Sequence, residues 1–163
     1  VGFTTADLCD SFGQAVRLVA PIFRDYGGLR QFTGPIETVQ VSEDNALVAQ
    51  TLETPGVGRV LVVDGGGSLR CALVGGRLAA LAHASGWAGL VINGCVRDSA
   101  EIREISLGIR AINSSPMRGG KTGAGQRGTA VSFGGATFLP GHILYADEDG
   151  IVLADHFLTT DRS

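Results

Sequence analysis

The chain has 163 residues, 13 Lys plus Arg against 16 Asp plus Glu, and a net charge of -3. That length suits one domain with its own apolar core, and the acidic balance excludes broad attraction to a phosphate backbone, so direct nucleic-acid binding is not expected. Cys9, Cys71 and Cys95 form no CxxC pair and suit reduced thiols in a cytoplasmic protein, while no apolar run approaches the roughly 20 residues that span a membrane.

In chain order, TTADLCDSFG reads as a short opening helix with Thr4 or Thr5 as N-cap and Gly13 as its stop; the opening residues lack a secretory-signal pattern. FTGPIETVQV reads as a strand, and SEDNALVAQTLETPG as a helix capped by Ser42 and ended by Pro55-Gly56. RVLVVDGGG is a buried strand running into a glycine turn, and SLRCALVGG a shorter strand. RLAALAHASG places Leu78, Leu81 and Ala82 on one helical face. WAGLVING is the next buried strand, followed by a helical SAEIREIS and a strand GIRAIN.

Residues 114–128, SSPMRGGKTGAGQRG, lack apolar periodicity and form one long loop that is flexible, ligand-facing or packed on another subunit. Beyond it, short strands alternate with Gly-Gly, Pro-Gly and Asp-Gly turns, a compact antiparallel segment. Alternating βα units followed by hairpins predict a layered α/β domain with a mixed sheet.

Several motifs fail on context. GGKT at 119–122 lacks the earlier glycine and the following helix of a P-loop, and GAGQRG at 123–128 lacks the strand before and helix after that a dinucleotide fingerprint needs. The turn at 64–68 lacks the spaced glycines of a methyltransferase. His83, His142 and His156 show no metal-ligand spacing, and DEDG at 147–150 reads as a hairpin turn rather than a calcium loop.

Two strand-end turns remain. VGGRL, Val74 to Leu78, opens a helix whose first N–H groups can seat a carboxylate. NGCVRD, Asn93 to Asp98, carries an Arg97-Asp98 pair: Arg97 can grip a carboxylate or oxyanion, Asp98 can hold a hard cation such as magnesium, and Glu101 can hold one of its waters. Together they suit the stabilisation of an enolate formed when a carbon–carbon bond of a 2-oxo acid breaks. The alternative is an Arg-Asp pair that caps a helix, with Asp98 as the cap.

These residues, with SEDNALV at 42–48, GRVLVVDGGGSLRCALVGG at 58–76, GWAGLVINGCVRD at 86–98, LGIRAI at 107–112 and YADEDGIVL at 145–153, resemble the RraA-like family of ribonuclease E regulators and class II 4-hydroxy-4-methyl-2-oxoglutarate aldolases. The resemblance implies a swivelling β/β/α-type fold, a homotrimer with sites between subunits, and a divalent metal, Mg2+ or Mn2+. It assigns the substrate-binding turn to Gly75, Gly76, Arg77 and Leu78, substrate binding and catalysis to Arg97, and the metal to Asp98, with Glu101 acting through water. The acid that efficient aldolases carry twenty-one positions before the arginine is Gly76 here. This pattern resembles members that decarboxylate oxaloacetate, and it weakens the aldolase expectation more than the decarboxylase one. The implied substrate is a short 2-oxo acid; the other reading is a regulatory protein that inhibits ribonuclease E. Arg77 either assists the carboxylate seat or lies on the helix surface.

Overall fold

Branched aliphatics that alternate between two buried faces organise the molecule. In the computed structural model, which describes residues 2–159, strand β4 (Val60–Asp64) is buried along its whole length. Val60 and Val62 enter one core and Leu61 and Val63 the other. A strand covered on both faces needs the continuous apolar run that the sequence carries there.

Around it lie β3 (Phe32–Gln40), β6 (Gly89–Val96) and β7 (Gly108–Ser114), all parallel to β4 in the order β3-β4-β6-β7. Beyond β3 the sheet turns antiparallel through β11 (Ile143–Asp147), β12 (Gly150–Ala154) and β1 (Arg17–Leu18). The short β2 (Arg24–Asp25) closes the other edge against β7. Helices α2 (Ala46–Glu53) and α3 (Gly76–Ala84) cover one face through Val48, Leu52, Leu78, Ala79 and Ala82. The hairpin of β9 (Val131–Phe133) and β10 (Ala136–Phe138) covers the other, with Phe138 fully buried. Helix α1 (Thr5–Phe12) forms a third, smaller core with β11 and β12. Helices on a mixed, curled sheet whose antiparallel wing forms a further layer match the expected α/β architecture.

The predicted elements hold with three corrections. Helix α2 starts at Ala46 and not at Ser42, because Glu43 takes a left-handed φ of 52° and the Asp44 side chain accepts from Ala46 N–H. Strand β6 runs on through Gly94 to Val96 because it exchanges neighbours: Gly89 to Asn93 pair with β4, then Cys95 and Val96 pair with β5 (Ala72–Val74). Helix α4 (Ser99–Ile102) is only one turn, since Glu104 and Ile105 tighten into i to i+3 bonds and the Ile105 carbonyl accepts from Gly28 N–H. Strands β1 and β2 lie in residues for which the pattern predicts no element. Their contribution is mostly backbone pairing at exposed positions, and that leaves no apolar alternation to read.

Thr4 is the N-cap of α1, accepting from Asp7 N–H at 3.0 Å. The rejected motifs also resolve. Gln126 and Arg127 of GAGQRG form β8 (Gln126–Arg127), an antiparallel partner of β3. DEDG is the β11–β12 turn.

Candidate active site

The site forms where β6 changes neighbours. The end of β5 delivers Gly75 and Gly76 at the start of α3, and the end of β6 delivers Arg97 and Asp98 beside them, with Arg97 N–H bonded to the Val74 carbonyl at 3.0 Å. The two turns singled out in the sequence are therefore adjacent.

Asp98 adopts φ 59° and ψ 44°, the left-handed region that few residues other than glycine occupy. It stands at the cap position of α4, yet its side chain makes no capping bond there. Its Oδ2 instead accepts from Gly76 N–H at 2.8 Å, reaching across to the start of α3. Among the described residues no ion pair joins Arg97 to Asp98. The local cap and the structural ion pair are thus both replaced by a third arrangement, in which a strained backbone aims a carboxylate into a cleft.

Arg97 is half-buried, and one Nη donates to the Pro116 carbonyl at 3.5 Å, a long and weak bond. Leu78 is buried in the core, so only its backbone is available to the site. Because Gly76 N–H is engaged by Asp98, helix geometry leaves the Arg77 and Leu78 amides as the open donors of the first turn. Arg77 is exposed and borders the cleft.

Glu101 explains the glycine at 76. A Cβ on Gly76 would lie 2.3 Å from the Glu101 carboxyl carbon, and one on Gly75 would lie 2.8 Å from Asp98 Oδ2. Two carboxylates therefore flank one glycine pair. Their hard oxygens suit Mg2+ or Mn2+, ions that keep several waters and need few protein ligands. Among the described residues no group of three or more His, Cys, Asp or Glu is placed to hold a metal; Asp98 and Glu101 are the carboxylates at this turn that could hold a hydrated ion.

The cleft has a volume of about 100 Å³, and beyond the predicted residues it is lined by Asn45, Arg118 and Lys121. The 114–128 loop carries the last two. It is tied down: Ala72 N–H bonds the Met117 carbonyl at 2.7 Å, and Asn45 N–H the Gly120 carbonyl at 2.9 Å. Four basic side chains, Arg77, Arg97, Arg118 and Lys121, thus border a small cleft in a chain of net negative charge. Sequence reasoning missed Asn45, Arg118 and Lys121; the available signal was two cations set among glycines in a loop with no structural periodicity.

A larger hollow of about 420 Å³ lies near Phe23, Asp25 and Arg110. There buried Arg110 donates to the carbonyls of Arg30 at 2.6 Å and Asp147 at 3.0 Å, which joins β7 to the β11–β12 turn. Its groups serve the fold.

The family model described as Aldolase/RraA matches residues 5–153. A relative from Alkalilimnicola ehrlichii, named "Putative 4-hydroxy-4-methyl-2-oxoglutarate aldolase", is 54% identical over 94% of this chain and 96% of its own. The crystal structure of a Geobacillus kaustophilus protein named S-adenosylmethionine:2-dimethylmenaquinone methyltransferase is 49% identical, with a TM-score of 0.94 over 96% of this chain and 97% of that one. The RNA-processing inhibitor RraA from Thermus is 42% identical, with a TM-score of 0.95 over 100% of this chain and 99% of that one. With the family model matched over residues 5–153 and the Thermus RraA structure superposing over the whole chain, the chain belongs to the RraA-like family.

Proposed function

We propose that this protein is a carbon–carbon lyase that cleaves 2-oxo dicarboxylic acids through a pyruvate enolate. The observation that carries this reading is the cleft itself: four cations, the Asp98 carboxylate and a helix start around a volume of about 100 Å³, with the Glu101 carboxylate packed on Gly76 beside it. A small polyanion is the ligand such a charge pattern favours.

The Arg77 and Leu78 amides receive the carboxylate next to the 2-oxo group, at the positive end of α3. Arg97 donates to the 2-oxo oxygen and stabilises the negative charge that develops there as the bond between C3 and C4 breaks. Arg118 and Lys121 form a cationic wall for the distal carboxylate. Asp98, and Glu101 through water, would hold a divalent metal, which would supply Lewis-acid stabilisation of negative charge on the 2-oxo oxygen. With oxaloacetate the C4 carboxylate leaves as carbon dioxide, and C3 takes a proton to give pyruvate. With 4-hydroxy-4-methyl-2-oxoglutarate the C4 hydroxyl must lose a proton as the bond breaks, releasing two pyruvates.

Glu101 alters the balance between these substrates. Its carboxylate fills the space of a side chain at 76, so an acid is present where the sequence has glycine. Glu101 takes the hydroxyl proton through water, and the aldol cleavage stays within reach of this chain. The names of its relatives support that half of the reading. Sites between subunits of a homotrimer belong to the same proposal.

The test is pyruvate release from both substrates, with Mg2+ or Mn2+ and with chelator. Metal-dependent release supports the reading; equal rates with and without metal contradict its metal part, and no release from either substrate contradicts the whole. The full-length match to an RNA-processing inhibitor favours a second reading, inhibition of ribonuclease E through the protein surface. Asp98→Ala separates the two, since it removes turnover and leaves surface inhibition intact.

A further inference from the structure

We propose that Asp44 is a positioning residue that sets the affinity for the distal carboxylate by clamping the loop that carries Lys121. The inference rests on the cationic wall described above and adds what holds that wall in place.

Asp44 is 4% exposed, and no cation pairs with it among the described residues. Its carboxylate is satisfied by four donors: Ala46 N–H at 3.1 Å, Thr122 N–H at 2.5 Å, the Thr122 hydroxyl at 2.8 Å and Gly123 N–H at 3.2 Å. One donor belongs to the start of α2, next to Asn45; the other three belong to the residues directly after Lys121. A buried carboxylate is costly unless its bonds are complete, so it resists any displacement of the loop. The clamped stretch reads GGKTGAG from 119 to 125, and four glycines in seven residues would otherwise give it wide backbone freedom. Gly120 N–H to the Glu43 carbonyl at 2.8 Å completes the attachment. The loop is exposed and the clamp is buried, a division that fixes Lys121 and leaves its ammonium free for a ligand.

Charge gives the proposal a sign. Asp44 is negative, so removing its charge would by electrostatics alone tighten anion binding. The clamp predicts the reverse.

Two probes that the enzyme does not cleave differ only in the distal carboxylate: 2-oxoglutarate and 2-oxobutanoate. Titration calorimetry with Mg2+ present gives the dissociation constant of each for the wild type, Lys121→Ala, Asp44→Asn, Thr122→Val and Thr122→Ser. The wild type prefers 2-oxoglutarate by about tenfold, the factor that one charge-assisted contact provides. Lys121→Ala and Asp44→Asn both abolish that preference with 2-oxobutanoate binding held within about twofold. Thr122→Val, which changes no charge, loses about threefold, and Thr122→Ser restores it.

Retention of the preference in folded Asp44→Asn, or tighter 2-oxoglutarate binding there, overturns the clamp while Lys121→Ala upholds the wall. No preference in the wild type overturns wall and clamp together; its retention in Lys121→Ala overturns the clamp, since the Lys121 that the clamp holds would then contribute nothing and Arg118 would supply the wall. Where Asp44→Asn does not fold, Thr122→Val decides: wild-type preference in that variant overturns the clamp.

Discussion

Gly76 and Glu101 act as one unit, because the space that a side chain at 76 would need already holds the Glu101 carboxylate. Glu101→Gln keeps the shape and removes the base, so aldol cleavage should fall about a hundredfold while oxaloacetate decarboxylation, which needs no hydroxyl deprotonated, changes far less. Parallel kcat measurements on the two substrates check this; equal losses would give Glu101 a different role. Gly76→Ala should push Glu101 away from the glycine pair and lower kcat/KM for both substrates. The residue types and spacing of Gly76, Arg97, Asp98 and Glu101 were legible in the sequence. The left-handed backbone of Asp98 and its bond to Gly76 N–H were not, since they depend on how two strand ends meet.

At the scale of elements, the same use of buried aspartates recurs. Asp147 in the β11–β12 turn accepts from Thr5 N–H at 2.6 Å, the Thr5 hydroxyl at 2.7 Å and Asp149 N–H at 3.0 Å, and so fastens α1 to the sheet. Asp147→Ala should cost about 1–3 kcal/mol, read by denaturant unfolding, with the earliest hydrogen exchange in α1. Burial pushes the Asp44 and Asp147 carboxyls up, but the hydrogen bonds they accept outweigh it and hold both below the ordinary value. A depressed carboxyl adds stability that is present above its unfolded pKa of about 3.9 and is lost as pH falls through the folded value. Asp25 works in the opposite sense, since burial raises its carboxyl despite Arg110 and Arg30. The melting temperature should therefore drop below about pH 4, and Asp147→Asn should flatten that slope. Long apolar elements such as β4, β6 and α3 were readable from pattern. The Ser42 cap was misplaced because Asp44 bonds across to residues 122 and 123, a contact that no local window contains.

Across the whole molecule, the parallel strands β4 to β7 form a base buried on both faces, and the residues of the cleft sit on turns beside it. Phe32 shows how closely that base is packed: a Cβ on Gly89 or Gly108 would lie 2.3 or 2.0 Å from its ring. Gly89→Ala should therefore destabilise the fold by about 1–3 kcal/mol, seen as a lower denaturation midpoint with little change in KM for the folded fraction. The fold class was legible because apolar period and turn chemistry agree along most of the chain. Part of the cleft was not, because Asn45, Arg118 and Lys121 arrive from segments distant in sequence.

A lyase of this kind needs the cleft at Arg97 and Asp98 to perform its chemistry. The most direct measurement is pyruvate release by wild type and Asp98→Ala at saturating Mg2+, with the folded state of both verified by thermal melting. Loss of turnover by about a hundredfold or more in a folded variant is the expected result. Equal turnover in the two proteins would contradict the assignment of this cleft as a lyase site.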